Sequence, residues 1–420
     1  MSRFGAALAA DPDAERAARR AAHGALGRVA GAPDLVVVTA AVADPDSADR
    51  VAAAVAEQVA ATGNEHCAVV GAMAEGVMGE SSLGDAADGE GRPGRGRTSV
   101  AVWAARLPGT RVRPFRLHSH RVSRPFEDDL AAGPATGTMA VGGLPEPWPD
   151  ERVALLFADP YSFPVHGFLA RCNTLLPQLP FVGGLAPGPA GYGSARLMLG
   201  SEAYATGAVG VLLGGELNAA IAVSQGCRPI GPAMTVTAAE GDLLLGLAGR
   251  PAYRRLREIL AEQKPEVRAQ AATGLHIGIA LNEYVDEHES GDFLIRGVVG
   301  LDPETDGIRV GEPVEIGQTV RFQVRDAASA AEGLRTVLRA ARARPGYETI
   351  GGALLVSCNG RAAGLFPEPF GAGHDLHTVC SELGTAAVAG FFGSGEIGPV
   401  GGRNHLHGYT ASILAFADGD

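Results

Sequence analysis

Three stretches of the chain carry the same arrangement of apolar runs, and this arrangement predicts the fold class. They begin with LVVVTAAV (residues 35–42), VALLFADP (153–160) and GALLVSCNG (352–360). Each run is followed by a segment with apolar residues at helical spacing, then by an apolar strand that runs into glycines, and then by a further strand. The strands that run into glycines are CAVVGAMAEG, FVGGLAPG and AVAGFFGSGEIG. The pattern predicts a β-α-β-β-like unit that occurs about three times.

The length and the spacing of these units predict a two-domain α/β protein of the mixed α+β kind, in which mixed β-sheets are covered by helices. A chain of 420 residues exceeds one ordinary core. We place the domains at residues 1–216 and 217–420. Residues 217–325 interrupt the repeat with short apolar runs separated by glycine and aspartate turns, which indicates an antiparallel sheet.

Charge and composition exclude several functional classes. The chain has 47 acidic against 35 basic residues, a net charge of −12, which disfavours nucleic acid as a partner. No apolar run reaches the length of a spanning helix and the first residues lack a secretory signal, so membrane insertion is not expected. The five cysteines contain no CxxC pair and indicate reduced thiols. We therefore expect a cytoplasmic protein.

Neither a cofactor nor a metal is predicted. The motif GSGEIG (393–398) resembles a dinucleotide fingerprint, but Pro399 follows where a helix should begin and too little chain remains for the rest of the fold. The pairs His118/His120 and His405/His407 have no third metal ligand nearby in the sequence. Asp375 stands at the beginning of a predicted helix, where we expect it to act as the cap.

Polar side chains gather near glycines at the ends of the predicted strands, as in a site for a small polar ligand. We expect Arg228 and Arg361 to hold a carboxylate and Glu396 to meet a cationic group, while Asn359 and the backbone of residues 393–395 complete the cradle. The alternative is that the arginines pair with internal carboxylates and the glycines only form turns. The predicted ligand-binding residues are Arg228, Asn359, Arg361, Gly393, Ser394, Gly395, Glu396, His405 and His407.

Two cysteines keep an enzymatic alternative open. Cys227 lies in a Gly/Pro loop beside Arg228, whose charge would lower the thiol pKa. Cys358 lies in the similar stretch SCNGR. No base accompanies either residue locally, so no catalytic set is predicted, and Cys227 and Cys358 are the candidates for a thiol-dependent acyl transfer or hydrolysis.

Several segments resemble the FIST domain family over nearly the whole chain. They are SQGCRPIG (224–231), FLIRGVVGLD (293–302), VRFQVRDAASA (320–330), LLVSCNGR (354–361), GFFGSGEIGPVGGRNHLHGYT (390–410) and the CAVVGAMAEG and FVGGLAPG turns of the N-terminal half. The resemblance implies a FIST N-terminal and a FIST C-terminal region. It also implies an intracellular sensory module for a small ligand, with amino acids or related metabolites as candidates.

The resemblance supplies no catalytic residues, and we expect binding rather than catalysis. The chain carries no kinase, chemotaxis or cyclase segment, so any signal output would lie in a separate signalling partner. A protein-interaction scaffold without a ligand is the third alternative, since some members of the family occur beside an F-box.

Overall fold

The computed structural model of the protein describes residues 3–79, 98–122, 138–188, 191–285, 288, 290–362, 365–366 and 371–418. Its helices are α1 (Ala14–Leu26), α2 (Pro45–Ala60), α3 (Val165–Leu175), α4 (Ala252–Ala261), α5 (Pro265–Thr273), α6 (Ala327–Arg342), α7 (Asn359–Ala362) and α8 (His374–Leu383).

The strands of the described chain form four sheets. In chain order they are β1 (Phe4–Asp11), β2 (Leu35–Ala41), β3 (Ala68–Met73), β4 (Val77–Gly79), β5 (Thr98–Ala105), β6 (Thr110–Val122), β7 (Thr138–Gly142), β8 (Glu151–Ala158), β9 (Phe181–Leu185), β10 (Leu197–Leu199), β11 (Glu202–Tyr204), β12 (Ala208–Gly215), β13 (Ala219–Gln225), β14 (Cys227–Pro229), β15 (Met234–Glu240), β16 (Leu243–Leu247), β17 (Arg250–Pro251), β18 (Leu275–Ala280), β19 (Phe293–Asp302), β20 (Gly307–Val310), β21 (Thr319–Arg325), β22 (Ile350–Cys358), β23 (Val388–Gly393), β24 (Glu396–Val400), β25 (Arg403–His407) and β26 (Thr410–Ala417).

Three of the sheets are built on one four-strand order. The orders are β1-β5-β2-β3 in the first sheet, β6-β12-β8-β9 in the second and β13-β26-β22-β23 in the third. In each, two parallel strands are joined through a helix (α2, α3 or α8), and the strand that closes the unit lies antiparallel to the first of them. The predicted threefold β-α-β-β-like repeat and the mixed α/β fold class are confirmed.

The three sheets exchange strands cyclically, so that each unit supplies one strand to the sheet of another unit. The strand that follows the second parallel strand of one unit pairs antiparallel with the corresponding parallel strand of another unit. Thus β4 of the first unit joins β23 in the third sheet, β24 of the third unit joins β9 in the second sheet, and β10 of the second unit joins β3 in the first sheet. Each sheet is therefore completed by a segment from elsewhere in the chain.

The inner faces of the three sheets enclose one shared apolar core. Trp103 of the first sheet packs against Phe416 of the third, with ring centroids 5.0 Å apart. Phe157 of the second sheet meets Phe391 of the third edge to face, at 5.5 Å. Helices cover the outer faces: α1 and α2 on the first sheet, α3 on the second, and α6 and α8 on the third.

The fourth sheet is a closed ring of antiparallel strands inserted into the third unit between β13 and α6. The order β15-β16-β20-β19-β18-β21 closes because β21 pairs with both β15 and β18, and the short β14 lies beside the end of β21. Helices α4 and α5 pack on the apolar interior of this ring. The antiparallel sheet expected within residues 217–325 is confirmed.

Among the helices that the structure describes, α1, α2 and α6 begin at an aspartate whose side chain caps the helix. Asp44 and Asp326 cap α2 and α6 by accepting hydrogen bonds from the backbone N–H groups of Ser47 and Ser329. The prediction that Asp375 caps a helix is wrong, because α8 begins at His374 and no side chain caps it. The domain division at residue 217 stays a prediction, and β4 and β24 each pair with a strand on the other side of it.

A glycine in the second parallel strand of each unit allows these strands to approach. A Cβ atom at Gly71, Gly183 or Gly390 would lie 2.1, 2.0 or 1.6 Å from a carbonyl oxygen of the adjacent parallel strand. We expect Gly390→Ala to lower the free energy of unfolding by about 1–3 kcal/mol or more, because the methyl group would displace backbone rather than a side chain. Urea denaturation of the purified variant measures the change.

Gly167 provides the matched control. It lies in α3 with no atom near the position of a Cβ. Gly167→Ala should leave stability unchanged or raise it by up to about 1 kcal/mol, since alanine is the better helix former. Equal effects of the two substitutions would contradict the role assigned to Gly390.

Candidate functional site

The carboxyl ends of β22 and β23 face the ring formed by the fourth sheet. A polar cluster lies between these strand ends and the ring. Cys358 ends β22 and Gly393 ends β23, its parallel neighbour. Just beyond these ends, the Asn359 side-chain amide donates to Ser394 Oγ at 3.3 Å. The ends of parallel strands meet at one edge of a sheet, which is a common location for ligands in α/β folds.

A buried ion pair forms the floor of the cluster. The Arg361 guanidinium donates through Nε and Nη2 to the two carboxylate oxygens of Asp375, at 2.7 and 2.9 Å, and the two side chains are 0% and 2% exposed. Ser357 Oγ donates to the same carboxylate at 2.7 Å. Burial alone would raise the pKa of Asp375, but the charge of Arg361 and these hydrogen bonds hold it well below its ordinary value. The positive charge of Arg361 is therefore neutralised by Asp375 within the folded protein.

Glu396 lies beside this pair and is fully buried. Its Oε2 accepts a hydrogen bond from the backbone N–H of Thr410 at 3.0 Å, and its carboxyl interacts with the Cys358 thiol. Burial raises the pKa of Glu396 well above its ordinary value and that of Cys358 to about 12. Both groups are consequently neutral over a wide pH range above the ordinary carboxyl pKa.

The side of the cluster opposite the Arg361–Asp375 pair is formed by residues of the ring, Arg325 and His276, which pack on Tyr409. The guanidinium of Arg325 lies 4.6 Å from the centroid of the Tyr409 ring, and the His276 ring meets the same tyrosine edge to face at 4.4 Å. Within the described residues Arg325 has no ion-pair partner. Tyr409 takes the left-handed conformation with φ of 60°, which is uncommon for a residue of this size.

Two glycines allow the ring and the third sheet to come together. A Cβ at Gly226 would lie 2.4 Å from Arg361 Nη1, and a Cβ at Gly360 would lie 2.7 Å from the Tyr409 ring. Any larger residue at either position would push apart the groups that form the cluster.

Several buried polar atoms of the cluster lack a hydrogen-bond partner. They include Arg361 Nη1, Glu396 Oε1 and His276 Nε2. Buried polar groups in folded proteins are nearly always satisfied, so each such atom needs water or a ligand as its partner. Burial lowers the pKa of His276 to about 4, with the Arg325 charge acting in the same direction, so this imidazole is neutral near pH 7.

The structure does not bring every predicted site residue to this cluster. Arg228 lies on the face of β14 opposite Cys227, where its Nη2 donates to the Gln270 side chain at 3.3 Å and its Nε stands 3.9 Å from Asp326. The backbone of residues 393–395 is partly engaged, since the Ser394 N–H donates to Leu185 and the Gly395 carbonyl accepts from it.

His405 and His407 lie on β25, and the charges near them are Arg296 and Glu312 of the ring. Burial lowers the pKa of His405 to about 4 and that of His407 to about 3. His407 Nε2 is 3.0 Å from the Gly398 carbonyl oxygen. These two residues thus contribute to the contact between the ring and the second sheet.

The cysteine environment differs from the sequence expectation. Burial raises the pKa of Cys227 to about 12, outweighing the charges of Arg325 and Arg361, and Arg228 is not among the groups that lower it. The expectation that Arg228 lowers this pKa is therefore wrong. A protonated thiol is a poor nucleophile.

The sequence reasoning missed Arg325, Tyr409, His276 and Asp375. The segments that contain Arg325 and Tyr409 carry the family resemblance, but neither residue has a local motif that marks a site. The partner of Arg361 lies 14 residues along the chain, in the helix start that we interpreted as a cap. No cluster of three metal-ligating side chains occurs among the residues that the structure describes, and no helix there is long and apolar enough to cross a membrane.

Comparison with known proteins identifies the family. Residues 34–250 match the FIST N domain and residues 252–399 match the FIST C domain. An uncharacterized protein of Mycobacterium bovis is 39% identical over 422 aligned positions, covering 99% of each chain. Another from Mycobacterium tuberculosis is 40% identical over 422, covering 99% of this chain and all of the relative. The chain belongs to the FIST family, whose domains are generally sensory and related to signal transduction.

The Arg361–Asp375 pair should matter for stability whether or not a ligand is bound. Arg361→Met leaves a buried carboxylate without its counter-charge and should cost about 3–5 kcal/mol of unfolding free energy. The double variant Arg361→Met/Asp375→Leu should recover much of that loss, because no charge stays buried. Urea denaturation of both single variants and the double variant gives the coupling energy.

The exposed pair of Arg335 and Glu332 on α6 is the control, and Arg335→Met should change stability by less than about 1 kcal/mol. Additive effects at Arg361 and Asp375 would argue against a strongly coupled pair.

The protonation of Glu396 should appear in the pH dependence of stability. Because its folded pKa is raised above 4.5, the folded state keeps a proton that the unfolded chain releases, and stability falls as pH rises from about 4.5 to the raised pKa. Glu396→Gln, which is neutral throughout, should match the wild type near pH 4.5. Above that pH it should become the more stable of the two, by up to about 1.4 kcal/mol per pH unit.

Denaturation midpoints between pH 4.5 and 8 measure this divergence. Glu332→Gln, at an exposed position, should run parallel to the wild type. A pH-independent difference between wild type and Glu396→Gln would show that Glu396 is ionised in the folded protein.

Proposed function

We propose that this protein is a cytoplasmic sensory protein that binds a small polar metabolite with a carboxylate group, such as an amino acid, at the cluster between the third sheet and the ring. Ligand binding would change the contact between these two parts, and a separate signalling protein would read that change. Membership of a sensory family supports the general role.

The uncompensated charge of Arg325 carries the proposal. Arg361 is neutralised by Asp375, while burial favours the neutral forms of Glu396 and His276. Arg325 is therefore the cation of the cluster that has no carboxylate among the described residues. A guanidinium in a partly buried site binds a carboxylate through charge-assisted hydrogen bonds, and these are stronger there than in water.

The unpartnered atoms supply further contacts for such a ligand. Arg361 Nη1 offers N–H donors, and Glu396 Oε1 offers a donor when protonated or an acceptor for an ammonium group when ionised. The face of Tyr409 already carries the Arg325 guanidinium, which orients the cation toward the cluster. A compact ligand with one acidic and one basic or hydroxyl group fits this combination.

The position of the cluster supports a sensory role. Arg325 and His276 belong to the ring, whereas Arg361 and Glu396 follow strands of the third sheet. A ligand that contacts both the ring and the third sheet stabilises the arrangement in which these two parts lie close together. The size of the effect is set by the difference between the ligand's affinities for the close and the separated arrangements.

The thiol chemistry of the alternative enzyme is less well supported. Burial raises the pKa of Cys227 and of Cys358 to about 12, which keeps both sulfur atoms protonated. Cys67, Cys172, Cys227 and Cys358 are free thiols, which agrees with a reducing compartment.

The test is a thermal-shift screen of amino acids, 2-oxo acids and dicarboxylates against the full chain, followed by calorimetry. We expect the bound compound to raise the melting temperature of the wild type. Arg325→Gln should weaken its binding about tenfold or more, because a hydrogen bond between charged groups is lost.

Arg268→Gln is the matched control, since this arginine is exposed on the neighbouring α5. It should bind as the wild type does. Unchanged affinity of Arg325→Gln would overturn the assigned site. A screen without any stabilising compound, together with no metabolite released on denaturing the purified protein, would favour the scaffold alternative.

A further inference from the structure

A concave surface lies near the amino-terminal ends of β8 and β9, the parallel strands of the second sheet. A groove of about 370 Å³ runs between the beginning of β8 in the second sheet and β13, the edge strand of the third. Its lining includes Arg152, Val153, Pro180, Leu217, Ile221 and Arg344. The volume is within the range of small-molecule sites. We call it the β8–β13 groove.

One side of the groove, which includes Leu217 and Ile221, is apolar. Leu217 and Ile221 are only partly buried and pack against the core shared by the three sheets. Pro180 precedes β9, and Pro399 lies in β24 on the far side. Proline restricts the backbone at both places, so this wall is stiff. A hydrocarbon or aromatic group placed here would be removed from water without displacing side chains of the core.

Two arginines stand at the rim. Arg152 extends from β8, and Arg344 follows the end of α6. Both are exposed, and neither forms an ion pair within the described residues. The nearby Asp150 carboxylate is bonded to Arg111 instead. In a chain with net charge −12, two guanidinium groups outside any ion pair of the described residues give this groove a local positive charge.

The turn that carries Arg344 is fixed on the groove wall. Tyr347 Oη donates to the Ala219 carbonyl at 2.9 Å, and the Asn218 side-chain amide donates to the Gly346 carbonyl at 2.9 Å. Both bonds join the turn to the beginning of β13. These two hydrogen bonds hold the backbone near Arg344 at the rim and leave the Arg344 side chain out of the attachment.

We propose that the β8–β13 groove binds a small amphipathic anion, with its apolar body against Leu217 and Ile221 and its carboxylate between Arg152 and Arg344. This site shares no residue with the cluster around Arg325 and does not depend on the function proposed for that cluster. The apolar wall recognises the body of the ligand, and the two arginines select against neutral compounds of the same shape.

Isothermal titration with decanoate, below its critical micelle concentration and at constant ionic strength, tests the proposal. We expect saturable binding of one equivalent. Decanol and acetate should bind at least tenfold more weakly, since each lacks one of the two recognised parts. Arg152→Gln and Arg344→Gln should each weaken decanoate binding about tenfold.

Two control variants distinguish the β8–β13 groove from the cluster around Arg325 and from a general effect of surface charge. Arg335→Gln, on the exposed side of α6, and Arg325→Gln, in the other cluster, should both bind decanoate as the wild type does. Loss of binding in Arg325→Gln with retention in Arg152→Gln would move the anion to the other cluster and overturn the groove. Equal affinity for decanol and decanoate, or no detectable decanoate binding, would also overturn it.

Discussion

The exchange of strands among the three sheets holds the three units together around one core. Each second parallel strand would expose an unpaired edge if its unit stood alone, and an exposed edge invites association with other chains. Here β4, β10 and β24 cover those edges, each supplied by a different unit. The shared core therefore requires all three units together, although they are far apart in sequence.

The same exchange positions the polar cluster. Glu396 is the first residue of β24, so it lies between the second sheet, where β24 pairs with β9, and the third sheet, where its Oε2 accepts a hydrogen bond from the Thr410 N–H. The neutral Arg361–Asp375 pair lies next to it without adding net charge. Arg325, which has no ion-pair partner among the described residues, is partly buried, so water and salt screen its charge less than they would at the surface.

The repeat was predictable because the order of its apolar runs is a local property of the sequence. The strand exchange was not, since β4 and β10 are three-residue strands whose partners lie in other units. Among the site residues, Asn359, Arg361, Ser394 and Glu396 lie at the strand ends where the sequence predicted polar side chains. The pairing of Arg361 with Asp375 depends on how α8 packs on the third sheet, and the approach of Arg325 depends on how the ring closes. Neither is encoded in a short motif.

The insertion of the ring into the third unit couples the position of the ring to the geometry of the cluster. The chain enters the ring after Gln225 and leaves it at Arg325, and these two crossings lie side by side because Cys227 pairs with Arg325. Any tilt of the ring against the third sheet pivots near these crossings, where the cluster also lies. A rotation of the ring at these crossings therefore changes the distances between Arg325 of the ring and Arg361 and Glu396 of the third unit.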